Sequence, residues 1–225
     1  MYAFERAVDL THHLRNGMPV YPGDPSPSFE SYATLEKNGV NLTKLVMGSH
    51  TGTHLDAPKH FIRDGIGIDQ IPPSRLVGEA YVADLSRKEI GSGITADDLR
   101  EPQGAILEDD IVVCYTGCSQ YWGEDAVREN YTYLTEDAAD YLVSKRVRGV
   151  GIDFLSVEQF KAPEPIAHKT LLGNGIFIIE SLSDSLKGFA GQRVLLICMP
   201  IKLKDGDGAP ARVIAIPIQK SDQER

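Results

Sequence analysis

Cysteine is scarce in this chain, with three residues in 225: Cys114, Cys118 and Cys198. An odd count at that density excludes a disulfide framework. Cys114 and Cys198 sit in the apolar runs IVVCY and VLLICMP, which reads as buried thiols. Cys114 and Cys118 are one residue too far apart for the paired-thiol redox spacing. Long hydrophobic runs are also missing, and nothing approaches the ~20 apolar residues that span a bilayer. The opening MYAFERAVDL has no basic segment leading into an apolar stretch, so no secretory signal is expected. The expected setting is soluble, reducing and cytoplasmic. Positive charge is in deficit, 23 Lys and Arg against 32 Asp and Glu, for a net −9. That balance argues against a nucleic-acid backbone or an anionic membrane as the main partner; it does not identify the substrate, which is expected to be a small molecule. There is no internal repeat, no low-complexity tract and no interdomain linker. PVYPGDPSP, from Pro19 to Pro27, is too short for a linker and reads as a rigid loop, because each proline fixes φ.

The length suits one domain over residues 1–225. Short β-branched runs predict strands over Leu42–Met47, Ala80–Leu85, Asp110–Tyr115, Gly149–Asp153, Ile176–Ile179, Arg193–Met199 and Arg212–Ile218. Helices are fewer. Thr135 can cap one running to about Val147, with Glu136 and Asp137 in the first turn, and Thr95 starts a shorter one. The expected fold class is therefore α/β, a single domain richer in strand than in helix.

Chemistry concentrates in Ser49 to Phe61, SHTGTHLDAPKHF. Three of the six histidines and an aspartate fall there: His50, His54, Asp56 and His60. Two imidazoles and a carboxylate are a ligand set for Zn²⁺ or a similar divalent ion, and they leave a coordination position open for water. Gly52 inside the histidine spacing and Pro58 just after it argue for a tight turn rather than a long helix. Thr51 and Thr53 are placed to orient the imidazoles by hydrogen bonds. The same spacing on its own also fits a helix face with two histidines on it, and His60 also fits a structural role. Asp205-Gly-Asp-Gly208 has no downstream calcium-ligand pattern and reads as a hairpin turn. His12 and His13 read as structural or surface residues.

The segment matches His-x-Gly-Thr-His-x-Asp-x-Pro-x-His, and here the chain resembles the cyclase-like metal-dependent hydrolases, a family with kynurenine formamidase and isatin hydrolase among its members. The likeness extends through VDLTHHLRNGMPVYPGDPSP, GVGIDFLSVE, AHKTLLGNGIFIIESL and MPIKLKDGDGAPARVIAI. It implies a swivelling β/β/α fold and a homodimer or homotetramer, and it places the Asp205–Gly208 turn beside the active site. It implies that His50, His54 and Asp56 bind one metal, that Asp56 is shared with a second, and that His168 and Glu180 complete the set. On sequence alone, His168 could equally line a loop and Glu180 mark a strand end. Zn²⁺ is the expected ion, one or two per site, with Mn²⁺ as the substitute. His60 would carry the proton, and water would attack a C–N bond of a small aryl amide, as in an arylformamidase. The alternatives are opening of a cyclic amide of the isatin kind, a metal-dependent cyclase or lyase, and a metal- or ligand-binding protein without catalysis, which would have no use for His60.

The chain departs from the kynurenine enzymes in three places. Tyr21 stands in the Pro-Gly-Asp loop where they carry tryptophan, Lys169 follows His168 where they often carry histidine, and Phe-Leu-Ser after Asp153 lacks their proline. Tyr21, held in a rigid loop, is expected to stack on a planar substrate. Lys169 is expected to add a positive charge that favours a carboxylate-bearing one.

Overall fold

The computed structural model describes residues 2–100 and 105–218. Its main sheet has eight strands. Val77–Asp84, Ile111–Tyr115, Gly149–Ile152 and Phe177–Glu180 run parallel as neighbours. Arg193–Pro200 pairs antiparallel with Val77–Asp84 on one side and with Gly208–Pro217 on the other. The short strand His54–Asp56 pairs with both Phe177–Glu180 and Gly208–Pro217. That double pairing closes the sheet into a barrel and removes two of its open edges. Val8–Asp9 adds outside the ring, against Gly208–Pro217.

The parallel strands are near-continuous apolar runs, as expected where both faces are covered. Ile111, Val113, Phe177 and Ile179 point into the barrel core with Leu55, Leu196 and Val213. Val112, Val150, Ile152 and Ile178 point outward, where Ala138, Ala139 and Leu142 of the helix Glu136–Ser144 and Ala167, Leu171 and Leu172 of the helix Ile166–Gly173 cover them. This is the α/β, strand-rich arrangement read from the sequence.

Leu42–Val46 is a strand, as read, and it pairs with Ser28–Ala33 in a separate hairpin, every residue in it exposed. The helix after Thr135 departs from expectation. Thr135 sits at the N-cap of its helix without capping it; its hydroxyl lies 2.7 Å from the Ile94 carbonyl oxygen and 2.6 Å from Asp137 Oδ1, and its single proton goes to one of the two. That helix ends at Ser144, short of Val147. Thr95, in contrast, forms a reciprocal capping pair with Asp98: its backbone N–H donates to the carboxylate at 2.7 Å and its hydroxyl accepts from the Asp98 N–H at 3.4 Å. Among the described residues no helix is long and apolar enough to cross a membrane.

Candidate metal centre

Strand alternation places the first three groups. Leu55 faces the barrel core, so its neighbours His54 and Asp56 must face the other way. Phe177 and Ile179 face the same core, which turns Glu180 outward. The antiparallel register then sets Glu180 directly opposite His54, and Ile178 opposite Asp56. His168 enters from the helix Ile166–Gly173, which covers this face, and His50 from the turn before His54. Gly52 makes that turn with φ +68°, and a Cβ there would lie 2.9 Å from Met18 Cε.

The five side chains read from the sequence as ligands meet at one place. His50, His54 and Asp56 form one convergent group, and Asp56, His168 and Glu180 form another, with ligand atoms within 4.8 Å of one another. Asp56 belongs to both. Its Oδ1 lies 2.8 Å from His50 Nδ1 and 3.3 Å from His54 Nε2, and its Oδ2 lies 3.7 Å from His168 Nε2. Glu180 lies 3.2 Å from His168 Nε2 and 3.5 Å from His54 Nε2. The ring nitrogens turned away from the cluster each meet an oxygen: His54 Nδ1 meets the Gly52 carbonyl at 2.7 Å, His168 Nδ1 meets Glu158 at 3.4 Å, and His50 Nε2 meets Asp207 at 3.1 Å.

The site is dry and crowded with charge. Asp56 is fully buried, and His54, His168 and Glu180 nearly so. Burial pushes the His54 and His168 imidazoles down. Asp56 and Glu180 on His54, and Glu158 and Glu180 on His168, more than reverse that and hold each up at about 10. Burial likewise pushes Asp56 up, and His50 and His54 outweigh it, leaving the carboxyl well below the usual range. Two carboxylates this close in a dry pocket require positive charge beside them. His54 Nε2 and Asp56 Oδ2 are buried and make no hydrogen bond, a costly condition for a polar atom. Both atoms point into the cluster, and a divalent cation there would satisfy them. Imidazole and carboxylate donors suit such an ion.

His60 stands at the rim. Its ring stacks on His50 at 4.0 Å with 28° between planes, and its Nδ1 lies 3.8 Å from Asp207 Oδ2. Burial lowers its pKa despite nearby Asp56. The cluster and His60 floor a cavity of about 270 Å³ walled by Tyr21, Phe61, Leu155 and Lys161. Tyr21 meets Phe160 edge-on at 5.8 Å.

Other expectations change. Lys169 does not line the cavity: it pairs with Glu164 at 2.6 Å on the half-exposed outer face of its helix. Successive helical residues are about 100° apart, so His168 facing inward turns Lys169 outward. Lys161 is the lysine on the cavity wall. Thr53 does not orient an imidazole: its hydroxyl donates to the Ser181 carbonyl at 2.5 Å and accepts from the His12 N–H at 2.9 Å. No Thr51 side-chain hydrogen bond to an imidazole occurs among the described residues, where the Gly52 carbonyl takes the His54 N–H. His12 stacks on Trp122 at 3.9 Å, away from the cluster, and His13 is exposed. Glu158 was missed as part of the site, and Asp207 was read only within the Asp205–Gly208 turn that the resemblance places beside it. The one sequence signal for Asp207 is its position between Gly206 and Gly208, which permits close backbone approach.

A family model described as a putative cyclase matches residues 8–159. The chain is 33% identical over 213 residues to the kynurenine formamidase of Bacillus cereus, covering 94% of this chain and 97% of that protein. A structure of isatin hydrolase A from Labrenzia aggregata, bound to benzyl benzoate, matches with a TM-score of 0.87 at 28% identity over 95% of this chain and 94% of the other. A structure described as a potential metal-dependent hydrolase with cyclase activity matches at 0.80, with 34% identity over 96% and 99% of the two chains. This chain belongs to the cyclase family of metal-dependent hydrolases.

Proposed function

We propose that this hydrolase cleaves the C–N bond of a small aryl amide, as an arylformamidase does, with His50, His54, Asp56, His168 and Glu180 holding one or two Zn²⁺ and Mn²⁺ able to substitute. The observation that carries the reading is the pair of ligand groups sharing Asp56 at the floor of an aromatic-walled cavity. A divalent ion held there supplies an activated water at neutral pH and a Lewis acid for the amide carbonyl. The protein's own groups do the rest. His60, turned with Nδ1 toward Asp207, takes a proton at Nε2 and returns it to the leaving nitrogen. Leu155 and Phe61 keep the cavity apolar, which strengthens every electrostatic contact inside it. Tyr21 offers a ring face to a planar substrate.

Opening of a cyclic amide is the second reading, favoured by the fold match to isatin hydrolase A and by a cavity that suits a compact bicyclic ring. Rates on N-formylkynurenine, formanilide and isatin, in wild type and in Tyr21→Ala, separate the two. The formamidase reading expects N-formylkynurenine to turn over and Tyr21→Ala to lose activity on aryl substrates. Hydrolysis of isatin alone would replace it with the second reading. The same reading carries self-association as a homodimer or homotetramer. Its support is the hairpin Ser28–Val46, which leaves Tyr32, Leu35, Leu42 and Leu45 exposed.

A further inference from the structure

We propose that Asp207 is a positioning residue that fixes the tautomers of His50 and His60 together through a single carboxylate oxygen. The inference rests on the reading of His50 as a metal ligand and His60 as the proton carrier.

Asp207 Oδ2 lies 3.1 Å from His50 Nε2 and 3.8 Å from His60 Nδ1. The two rings are stacked and nearly parallel, so one oxygen faces the edges of both. Among the described residues, Asp207 is the one carboxylate within 4.0 Å of a His60 nitrogen. The other aromatic rings near it are Phe61, edge-on at 4.3 Å, and His168 at 6.1 Å. The 3.8 Å separation is longer than a hydrogen bond, and catalytic hydrogen bonds of this kind are often long in the free protein and tighten in the complex with substrate.

The backbone is built for this approach. The Asp207 carbonyl accepts from the Ala57 N–H at 2.9 Å, and Gly208 is in register with Asp56. A Cβ on Gly208 would lie 2.7 Å from His50 Cε1, so only glycine lets the strand carry Asp207 past that ring.

An ionised carboxylate only accepts hydrogen bonds, so the ring nitrogen facing it must carry the proton. On His50 that is Nε2; Nδ1 faces Asp56 at 2.8 Å and carries a proton as well until an ion is held in the cluster, when its lone pair would be the one freed. On His60 it is Nδ1, which leaves Nε2 bare to receive a proton. One acid thereby keeps a proton on a defined nitrogen of each of two stacked rings. Asp207 does not line the cavity, so its influence on substrate passes through the two rings. The carboxylate behind a metal-binding histidine is a general device; here the same oxygen also serves the proton carrier.

The test compares Asp207→Ala with Asp207→Asn, which keeps an acceptor oxygen without the charge. Asp207→Ala should lower kcat on N-formylkynurenine by about 10–100-fold with KM nearly unchanged, and weaken Zn²⁺ binding in chelator competition by a similar factor. In ¹⁵N spectra of the imidazoles, His60 should lose its single Nδ1–H form. Asp207→Asn should restore most of kcat and that tautomer. Wild-type kcat, Zn²⁺ affinity and His60 tautomer in Asp207→Ala would overturn the proposal. A rise in KM at constant kcat would also overturn it, by placing Asp207 on the substrate. Weakened metal binding with an unchanged His60 tautomer would refute the shared oxygen. The tautomer is read in metal-free protein as well, so the proposal is decided there even if wild type binds no Zn²⁺ and the metal reading itself fails.

Discussion

Six histidines in one chain receive different electrostatic treatment, and their neighbours decide which. His54 and His168 lie between carboxylates and are held up at about 10. His60, a few ångströms away, is lowered because burial outweighs the attraction of Asp56. Their substitutions should therefore separate. His54→Ala should abolish metal binding, measured as metal per protein after gel filtration. His60→Ala should keep the metal and lose about 10²–10⁴ in kcat, the usual scale of acid–base catalysis. Equal metal loss in both variants would contradict the division of roles. The raised pair also sets a pH dependence. Below about 10 both imidazoles hold protons in the metal-free site, and an entering ion must displace them. Affinity should rise as pH rises through neutrality and fall as it drops. Calorimetry in buffers of different ionisation enthalpy should show proton release on Zn²⁺ binding, and none would count against the site. Lys161 takes the position on the cavity wall that Lys169 was expected to hold. Lys161→Ala should raise KM a few-fold for N-formylkynurenine, which carries a carboxylate, and leave uncharged formanilide unaffected, since an exposed ion pair contributes about 0.2–1 kcal/mol.

At the scale of the elements, the centre is a consequence of period-2 alternation in two paired strands. Leu55 and Ile179 enter the core, and that alone turns His54, Asp56 and Glu180 to the same outer face. The local part of this was legible in the sequence. His50, His54, Asp56 and His60 are close along the chain, and their spacing carries the chemistry. His168 and Glu180 were legible only through the family likeness, because what joins them to His54 is a strand register and a helix packing, neither of which is written in local spacing. Glu158 escaped, and so did the contact of Asp207 with His50, though the likeness placed its turn beside the site, because each reaches its histidine from a loop. Lys169 was misread by treating an adjacent residue as an adjacent side chain, which a helix does not permit. Gly208 tests the element-level account. A Cβ there would meet His50 Cε1 at 2.7 Å and the Leu55 carbonyl at 2.8 Å. Gly208→Ala should displace His50 and weaken Zn²⁺ binding about tenfold or more, on the scale seen when the groups behind a metal ligand are disturbed. Unaltered affinity in a folded variant would show that His50 does not need that approach.

On the scale of the whole molecule, the barrel buries its own core but leaves the Ser28–Val46 hairpin uncovered. A two-stranded hairpin is marginal in water without a surface to pack on. If a second copy supplies that surface, Leu42→Glu with Leu45→Glu should convert the oligomer to monomer in sedimentation velocity; a wild-type protein that is already monomeric would remove that reading. The fold does not choose among formamides, cyclic amides and other substrates, because function resides in the site. The most direct measurement is hydrolysis of N-formylkynurenine by untagged protein whose metal content is determined in the same sample. Activity should track bound divalent ion, vanish on dialysis against a strong chelator and return with Zn²⁺ or Mn²⁺. Full activity in protein shown to be free of metal would contradict the account at its centre.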